Sequence, residues 1–326
     1  AVPRKGTYMK ITFYGTRGST PVSNRSSRKY GGNTTCLRVE SECLPGGHWL
    51  VVDAGSGIVP LSWDFAKNGG KAVTILQSHW HHDHTQGFAL SALPYLKHVP
   101  LSIVGPYEHR IGPRQVYANF IMRSPVFPVN FREWASHINC YNIEFPSSNI
   151  LLFHPCGGMS RVTVEQYERL ADDNGQMPFK KQKFPLGECL VVRMHKSHHP
   201  EYTISYRFEE KPTGKVFIFV TDHENEDGLP MSFRTHLAGA DLLVMDCQYT
   251  DEKYQKVTAG WGHATPSYVA RVAKETGAKA LGLTHHDPPS DDAMVDSIVE
   301  TAQRLLAESG ANTRAFGCYD YMEVAV

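Results

Sequence analysis

The stretch His79-Trp-His-His-Asp-His84 places four histidines and one aspartate within six residues. The whole chain has 17 histidines among 326 residues, so a window of this length would hold about 0.3 by chance. On a helix, His79 and His81 would point roughly 200° apart, whereas alternate residues of a loop leaving a strand can point the same way. We therefore expect His79 and His81 to share one metal ion, with Asp83 and His84 turned toward a second.

The residue types in this stretch restrict the metal and separate ligands from supporting residues. Imidazole and carboxylate together suit Zn²⁺, Mn²⁺ or iron, and thiolate-selective metals are not favoured. Trp80 and His82 fall on the other side of the loop, so we interpret both as structural support.

The bulk composition narrows the class of protein. With 41% hydrophobic and 20% charged residues, 326 residues suit one large soluble α/β domain or two small ones. Lys+Arg and Asp+Glu both number 33, and this zero net charge argues against gripping long nucleic acids mainly through phosphate electrostatics. Seven scattered cysteines without CxxC spacing favour a reducing cytoplasm. No apolar run approaches the ~20 residues of a membrane span.

Strand-like apolar runs alternate with helical patterns, and polar residues collect where the strands end. The predicted strands are Lys10–Tyr14, Thr35–Glu40, Trp49–Val52, Ala72–Leu76, Leu101–Val104, Leu190–Met194, Thr203–Phe208, Val216–Val220, Leu242–Met245 and Ala280–Leu283. The predicted helices are Thr85–Leu96 with a break at Pro94, 163–171, Pro266–Thr276 and Asp292–Glu308.

We predict a single domain over residues 9–326, because Met9 followed by Lys-Ile-Thr-Phe-Tyr-Gly has the character of a natural start. Residues 1–8 are interpreted as an extension, either natural or left over from cloning. Residues 105–190 are rich in Pro, Asn, Ser and Gly, and we predict a loop-rich insertion there that covers or shapes a site.

The run His79-x-His-x-Asp-His84 resembles the HxHxDH signature of the metallo-β-lactamase superfamily. The other superfamily motifs follow in the expected order, so the resemblance extends over essentially all of residues 9–326. It implies an α/β fold in the form of a four-layer αββα sandwich. Asp53, at the end of Trp49-Leu-Val-Val, is similar to the early motif aspartate that supports the histidine loop.

The resemblance also implies a full ligand set for two divalent ions. His79, His81 and His199 would hold one ion, Asp83, His84 and His285 the other, and Asp222 would lie between them. The sequence leaves two choices open, because His198 precedes His199 and His286 follows His285.

A further histidine indicates acid catalysis. His263 lies between glycine and alanine in Gly260-Trp-Gly-His-Ala-Thr, and Asp246 ends the predicted strand Leu242–Met245. A carboxylate bonded to one ring nitrogen would fix the imidazole tautomer and keep the ring poised as a general acid. The pair resembles the histidine and acidic partner of ribonuclease Z and related phosphodiesterases. This implies that His263 protonates the leaving oxygen with the help of Asp246, and we assign Asp83 to the catalytic set as well as to the ligands.

These residues predict a dinuclear metal-dependent phosphodiesterase for a small substrate, such as a cyclic nucleotide or cyclic phosphate. The metal-bridged hydroxide would attack, and His263 would act as the general acid. We expect zinc or manganese, with iron as a third option, no membrane, and a homodimer as an open alternative.

Three other functions compete with this prediction. A ribonuclease Z-like RNA nuclease is weakened by the zero net charge. A lactone, thioester or β-lactam hydrolase is weakened by the His263–Asp246 pair, which opening an amide would not need. A redox diiron protein is disfavoured because His81 stands where flavodiiron proteins typically carry Glu.

Overall fold

Two β-sheets packed face to face form the centre of the computed structural model, which describes residues 9–173 and 175–326. The extension expected at residues 1–8 lies outside the described residues. The strands are β1 (Lys10–Gly15), β2 (Cys36–Glu40), β3 (His48–Val52), β4 (Ala72–Leu76), β5 (Pro100–Pro106), β6 (His137–Ile143), β7 (Asn149–His154), β8 (Gly158–Thr163), β9 (Gln176–Phe179), β10 (Gln182–Pro185), β11 (Leu190–Lys196), β12 (Ile204–Glu210), β13 (Lys215–Val220), β14 (Leu242–Asp246), β15 (Ala280–Thr284), β16 (Arg314–Gly317) and β17 (Glu323–Ala325).

Within the described ranges, one sheet has seven strands in the order β17-β1-β2-β3-β4-β5-β6, and the other has eight in the order β16-β15-β14-β13-β12-β11-β7-β8. The strands β9 and β10 form a separate hairpin. The α-helices are Ile58–Lys67, His82–Thr85, Pro113–Gln115, Val164–Asp173, Met231–Leu237, Asp251–Lys253, Pro266–Thr276 and Asp292–Glu308. Short 3-10 and π-helical turns occupy much of the chain between β4 and β6.

The apolar residues define the layers. One cluster joins the facing sides of the two sheets, with Phe13 and Leu50 from the first sheet and Phe208 and Val244 from the second. Separate clusters fill the outer faces, where helix Ile58–Lys67 covers the first sheet and the helices after β13 cover the second. Sheets that are buried on both faces carry nearly continuous apolar runs, as these strands do. The predicted α/β class and four-layer αββα sandwich are therefore confirmed.

Two local predictions are wrong. The helix expected over Thr85–Leu96 is instead a short helix, His82–Thr85, followed by two 3-10 turns. Gly87 explains the break, since its N–H donates to the Ala54 carbonyl at 3.0 Å and an added Cβ would lie 2.1 Å from the Gly55 oxygen. The chain is held against the loop after β3 and cannot continue as a helix.

The segment 105–190 is more ordered than the predicted loop-rich insertion. Strand β6 forms an edge of the first sheet, β7 and β8 extend the second sheet, and the helix predicted at 163–171 is found at Val164–Asp173. β7 forms a local hairpin with β8, but its other partner is β11, about forty residues further along, with Leu151 opposite Val192. Pairing over such a separation leaves no local signal in a segment so rich in turn-forming residues.

The topology gathers several strand ends at one edge of the sandwich. The parallel strands β3 and β4 of one sheet end near β13, β14 and β15 of the other, and polar residues follow each of them. Two hydrogen bonds tie the sheets together there, because the Tyr206 hydroxyl donates to the Gln77 carbonyl at 2.7 Å and the Ile204 N–H donates to Ser78 at 2.9 Å.

Candidate metal centre

Four of the predicted ligands converge in a first cluster at this edge. The metal-binding atoms of His79, His81, His199 and Asp222 all lie within 4.8 Å of one another. The buried Nε2 atoms of His79 and His199 make no hydrogen bond within the described part of the chain. Their Nδ1 atoms are engaged, with Ser78 Oγ 3.1 Å from the first ring and the Gly262 carbonyl oxygen 2.9 Å from the second. A histidine that ligates a metal through one nitrogen usually donates the other N–H in this way.

A second cluster lies beside the first. Asp83, His84 and His285 present their metal-binding atoms within the same 4.8 Å limit. The Nδ1 of His84 is 2.9 Å from Asp53, and that of His285 is 2.7 Å from the side-chain oxygen of Gln248. Both rings therefore turn Nε2 toward Asp83, at 3.2 and 3.1 Å.

Asp222 spans the two clusters. Its Oδ2 atom is 3.5 Å from His79 Nε2, while its Oδ1 atom is 3.2 Å from His84 Nε2 and 3.3 Å from His285 Nε2. One carboxylate oxygen thus faces each cluster, which is the placement expected for a residue between two ions.

Burial and neighbouring charges determine the protonation states of the candidate ligands. Burial lowers the pKa of His79, His81 and His199, which keeps their rings neutral and able to donate a lone pair. Burial by itself raises the pKa of Asp222, but the adjacent histidines, His285 first, outweigh it and hold the pKa well below its usual range. The first cluster therefore pairs neutral imidazoles with an ionised carboxylate. In the second cluster, burial by itself lowers the pKa of His84, but the adjacent carboxylates, Asp83 first, outweigh it and raise the pKa well above its usual range.

Backbone conformation directs three of these side chains. Asp53, Asp222 and His285 follow β3, β13 and β15 and have φ values of +60°, +48° and +63°. A left-handed conformation costs a non-glycine residue about 1–3 kcal/mol, and such residues cluster at functional sites. The sharp turn at each strand end points the side chain across the sheet edge and into the centre.

Asp53 is fully buried beneath the histidine loop. One oxygen accepts the Ser78 backbone N–H at 2.7 Å, and the other accepts the Ser78 hydroxyl at 2.8 Å in addition to the His84 ring. No metal-binding group of the described residues includes it. Its position fits the supporting role that the sequence predicts.

His263 lies beside both clusters, with its ring stacked 4.9 Å from that of His285 and lying 5.7 Å from that of His199. Its Nδ1 is 2.8 Å from Asp246 Oδ2, as the sequence predicts for this pair. Burial lowers the pKa of His263, but the Asp246 carboxylate outweighs burial and raises the pKa to about 9. The ring is therefore protonated near neutral pH and can give up a proton from its other nitrogen.

The structure separates the histidines that the sequence left as alternatives. His198 is half exposed and 3.5 Å from Glu226, whereas His199 lies in the first cluster. His286 packs against Tyr30 and its Nε2 is 2.8 Å from the Cys318 carbonyl oxygen, whereas His285 lies in the second cluster.

The two remaining residues of the histidine run lie outside both clusters. The indole N–H of Trp80 donates to the Pro106 carbonyl at 3.2 Å, and the His82 side chain is exposed.

Sequence reasoning missed several residues that position the ligands. Besides contacting His285, Gln248 donates to the Tyr249 hydroxyl at 3.0 Å, and the Ser19 backbone N–H donates to Asp83 at 2.7 Å. Gly262 has a φ of +92°, and an added Cβ there would lie 2.2 Å from His199 Nδ1. The one available signal is the position of Gln248, two residues after the carboxylate that ends β14.

A cavity of about 360 Å³ opens beside His79 and His81. Its walls are mainly apolar and come from the segment after β5 and from the loop before β12: Pro106, Ile111, Val116, Phe120, Ile121 and Tyr202. A cavity of this size and character can hold part of a small organic molecule.

Comparisons with known proteins agree with this fold and motif order. Residues 154–286 match the family described as "Beta-lactamase superfamily domain". The chain is 25% identical over 324 residues to the ribonuclease Z of Haloarcula marismortui, with 94% of this chain and 96% of the relative covered.

Solved structures show the same fold. The metallo-beta-lactamase fold protein YhfI from Bacillus subtilis has a TM-score of 0.61 at 18% identity, with 98% of this chain and all of that chain covered. Unliganded yeast PDE1 has a TM-score of 0.64 at 14% identity, with coverages of 98% and 99%.

These comparisons support a hydrolase of the metallo-β-lactamase superfamily, and the His/Asp clusters of the chain are suited to divalent metal ions. Within the superfamily, its relatives named ribonuclease Z confirm the expected similarity to the ribonuclease Z-like branch. Among the described residues, no helix combines the length and the apolar character of a membrane span.

Proposed function

We propose that this protein is a phosphodiesterase that holds two divalent metal ions and hydrolyses a small phosphodiester. The observation that carries the proposal is the His263–Asp246 pair, because it supplies a buried, protonated imidazole beside two clusters of metal-binding groups. An alkoxide leaving group needs such a proton donor. The ribonuclease Z relatives support the same class of reaction.

The side chains fit two ions. The unpaired Nε2 atoms of His79 and His199 face the first cluster, and Asp222 offers one oxygen to each cluster. Asp83 and Asp222 are buried carboxylates, and uncompensated negative charge is costly in a protein interior. When bound, the cations would supply an activated water and stabilise negative charge on the phosphate oxygens. Imidazole and carboxylate ligands accept Zn²⁺, Mn²⁺ or iron.

The chain's own residues would donate the proton and hold the ligand side chains in place. His263 gives a proton from Nε2 to the leaving oxygen, and Asp246 holds the ring by Nδ1 so that Nε2 faces the site. Asp83, fixed by the Ser19 N–H, keeps His84 and His285 turned inward. Asp53 holds the His84 ring from the other side.

The cavity beside His79 favours a small substrate over a long RNA. Besides histidines, its charged lining consists of Glu108 and Glu201, and no lysine or arginine of the described residues lines it to pair with a neighbouring phosphate of a polynucleotide. The second candidate function is that of an RNA nuclease, which the relatives named ribonuclease Z favour.

A substrate panel separates the two candidates. Protein loaded with Zn²⁺ or Mn²⁺ is assayed on bis(p-nitrophenyl) phosphate, cyclic mononucleotides, cyclic dinucleotides, 2′,3′-cyclic phosphates and a precursor tRNA. We expect turnover of the first substrate and of at least one small diester, with little RNA cleavage. Efficient precursor cleavage without turnover of small natural diesters would favour the nuclease, and turnover of lactones or thioesters alone would refute phosphodiester hydrolysis.

A further inference from the structure

The cavity beside the first cluster differs in chemistry from the centre it adjoins. His79, His81 and His82 form its floor, whereas His263 and Asp246 do not line it. If His263 protonates the leaving oxygen, a group bound in this cavity is the other ester substituent of the phosphodiester, which does not leave. The cavity would then hold the substituent that stays on phosphorus.

The Tyr202 and Trp80 side chains in the cavity wall have no free polar hydrogen to offer a ligand. The Tyr202 hydroxyl donates to the Glu144 carbonyl at 2.6 Å, and the Trp80 indole N–H donates to the Pro106 carbonyl at 3.2 Å. What these rings can present is therefore apolar surface. Phe120 adds to it, because its ring is 60% exposed beside the cavity and would lose contact with water if a ligand covered it.

The charged residues of the cavity act against anions. Glu108 and Glu201 are both exposed in its wall, and although His82 and His109 also line the cavity, no lysine or arginine of the described residues does. A second phosphate or a carboxylate would lie near these negative charges with no lysine or arginine in the wall to pair with, which is unfavourable.

We propose that this cavity selects the retained ester substituent, and that this substituent is a neutral, mainly apolar group about as large as an aryl ring or a nucleobase. The inference rests on the proposed phosphodiesterase function. In the reaction, the water releases a proton to solvent as its oxygen bonds to phosphorus, the bond to the leaving oxygen breaks, and that oxygen takes the proton from His263. His263 then regains a proton from solvent. The product is a phosphate monoester that still carries the group bound in the cavity.

The test varies the retained group while p-nitrophenolate remains the leaving group. The substrates are p-nitrophenyl phosphodiesters that carry methyl, phenyl, 5′-thymidyl or carboxymethyl as the second substituent. We expect kcat/KM of the wild-type protein to be at least about tenfold higher for phenyl and thymidyl than for methyl, and lowest for carboxymethyl.

Variants test the walls directly. Phe120→Ala should reduce the phenyl-to-methyl ratio about fivefold, and Phe120→Leu should restore part of it. Leu90→Ala is the matched control, because Leu90 is a 69% exposed apolar residue that does not line the cavity, and it should keep the wild-type ratio. Glu108→Lys should raise the relative rate of the carboxymethyl ester.

The outcomes separate this inference from the proposed function. If protein that retains its metal hydrolyses none of these diesters, the phosphodiesterase proposal fails. If it hydrolyses all of them with similar kcat/KM, or if Phe120→Ala leaves the ratios unchanged, the cavity inference fails while the phosphodiesterase proposal stands. Preference for the carboxymethyl ester would also overturn the inference.

Discussion

Replacing Asp246 with asparagine tests the acid role of His263 most directly. The carboxylate raises the pKa of this buried ring to about 9, compared with 6.5 for an ordinary histidine. The difference of about 2.5 units corresponds to about 3.4 kcal/mol of preference for the protonated ring. Asparagine can still accept the Nδ1–H, but it lacks the charge. Burial, which lowers the pKa of His263, is then opposed by Asp222 and Asp83, so this pKa should fall toward 6.5.

The size of the effect follows from the fraction of protonated ring. At pH 8, about nine-tenths of the wild-type rings would be protonated, compared with about 3% at a pKa of 6.5. We therefore expect Asp246→Asn to lower kcat/KM by up to about 30-fold at pH 8 for a 3′,5′-cyclic nucleotide, whose leaving oxygen needs a proton. The alkaline limb of the pH–rate profile should move from near pH 9 toward pH 6.5, because activity is lost as the ring deprotonates.

Bis(p-nitrophenyl) phosphate is the internal control for this experiment. Its leaving group departs as a stable anion, so Asp246→Asn should change its turnover much less, with metal content measured in parallel. A variant that loses the same factor on both substrates, or whose alkaline limb does not move, would refute the assignment of His263 as general acid.

Three further predictions concern the metal ligands and stability. Gly262→Ala should lower metal affinity, since its Cβ would meet the His199 ring. Gly260→Ala is the matched control, because Gly260 has a similar φ of +87° and an added Cβ there would have no atom within 4 Å. Calorimetric titration with Zn²⁺ compares the two variants, and equal losses of affinity would point to backbone strain alone. Asp53→Ala should weaken metal binding about 10–100-fold in competition with a chelator, and unchanged affinity would argue against its supporting role. Burial, aided by neighbouring positive charge, lowers the pKa of His236, so the folded protein should lose about 1.4 kcal/mol of unfolding free energy per pH unit as the pH falls below 6.5. In urea denaturation from pH 7 to 5, the unfolding free energy of His236→Gln should therefore decline less than that of the wild type. An identical decline would contradict this.

Patterns that repeat locally could be predicted from the sequence. The helices Pro266–Thr276 and Asp292–Glu308 were predicted at their observed bounds, because an apolar stripe of helical period and a nearby proline or capping residue are local features. The pairing of β7 with β11 could not be predicted in this way, because the two strands lie far apart in the chain. The helix break at Gly87 could not be predicted either, because it depends on contact with another loop.

The sequence by itself predicted most of the side chains of the centre, because the spacing of His79, His81, Asp83 and His84 and the order of the later motifs can be recognised along the chain. Tertiary structure decided how those side chains meet. His199 rather than His198 enters the first cluster, and Asp222 turns one oxygen toward each group of ligands. These choices depend on left-handed turns at the strand ends and on hydrogen bonds that the ligand rings donate to the oxygens of Gln248 and Gly262. Such contacts join positions that are far apart in the chain, and they exist only once the two sheets have packed.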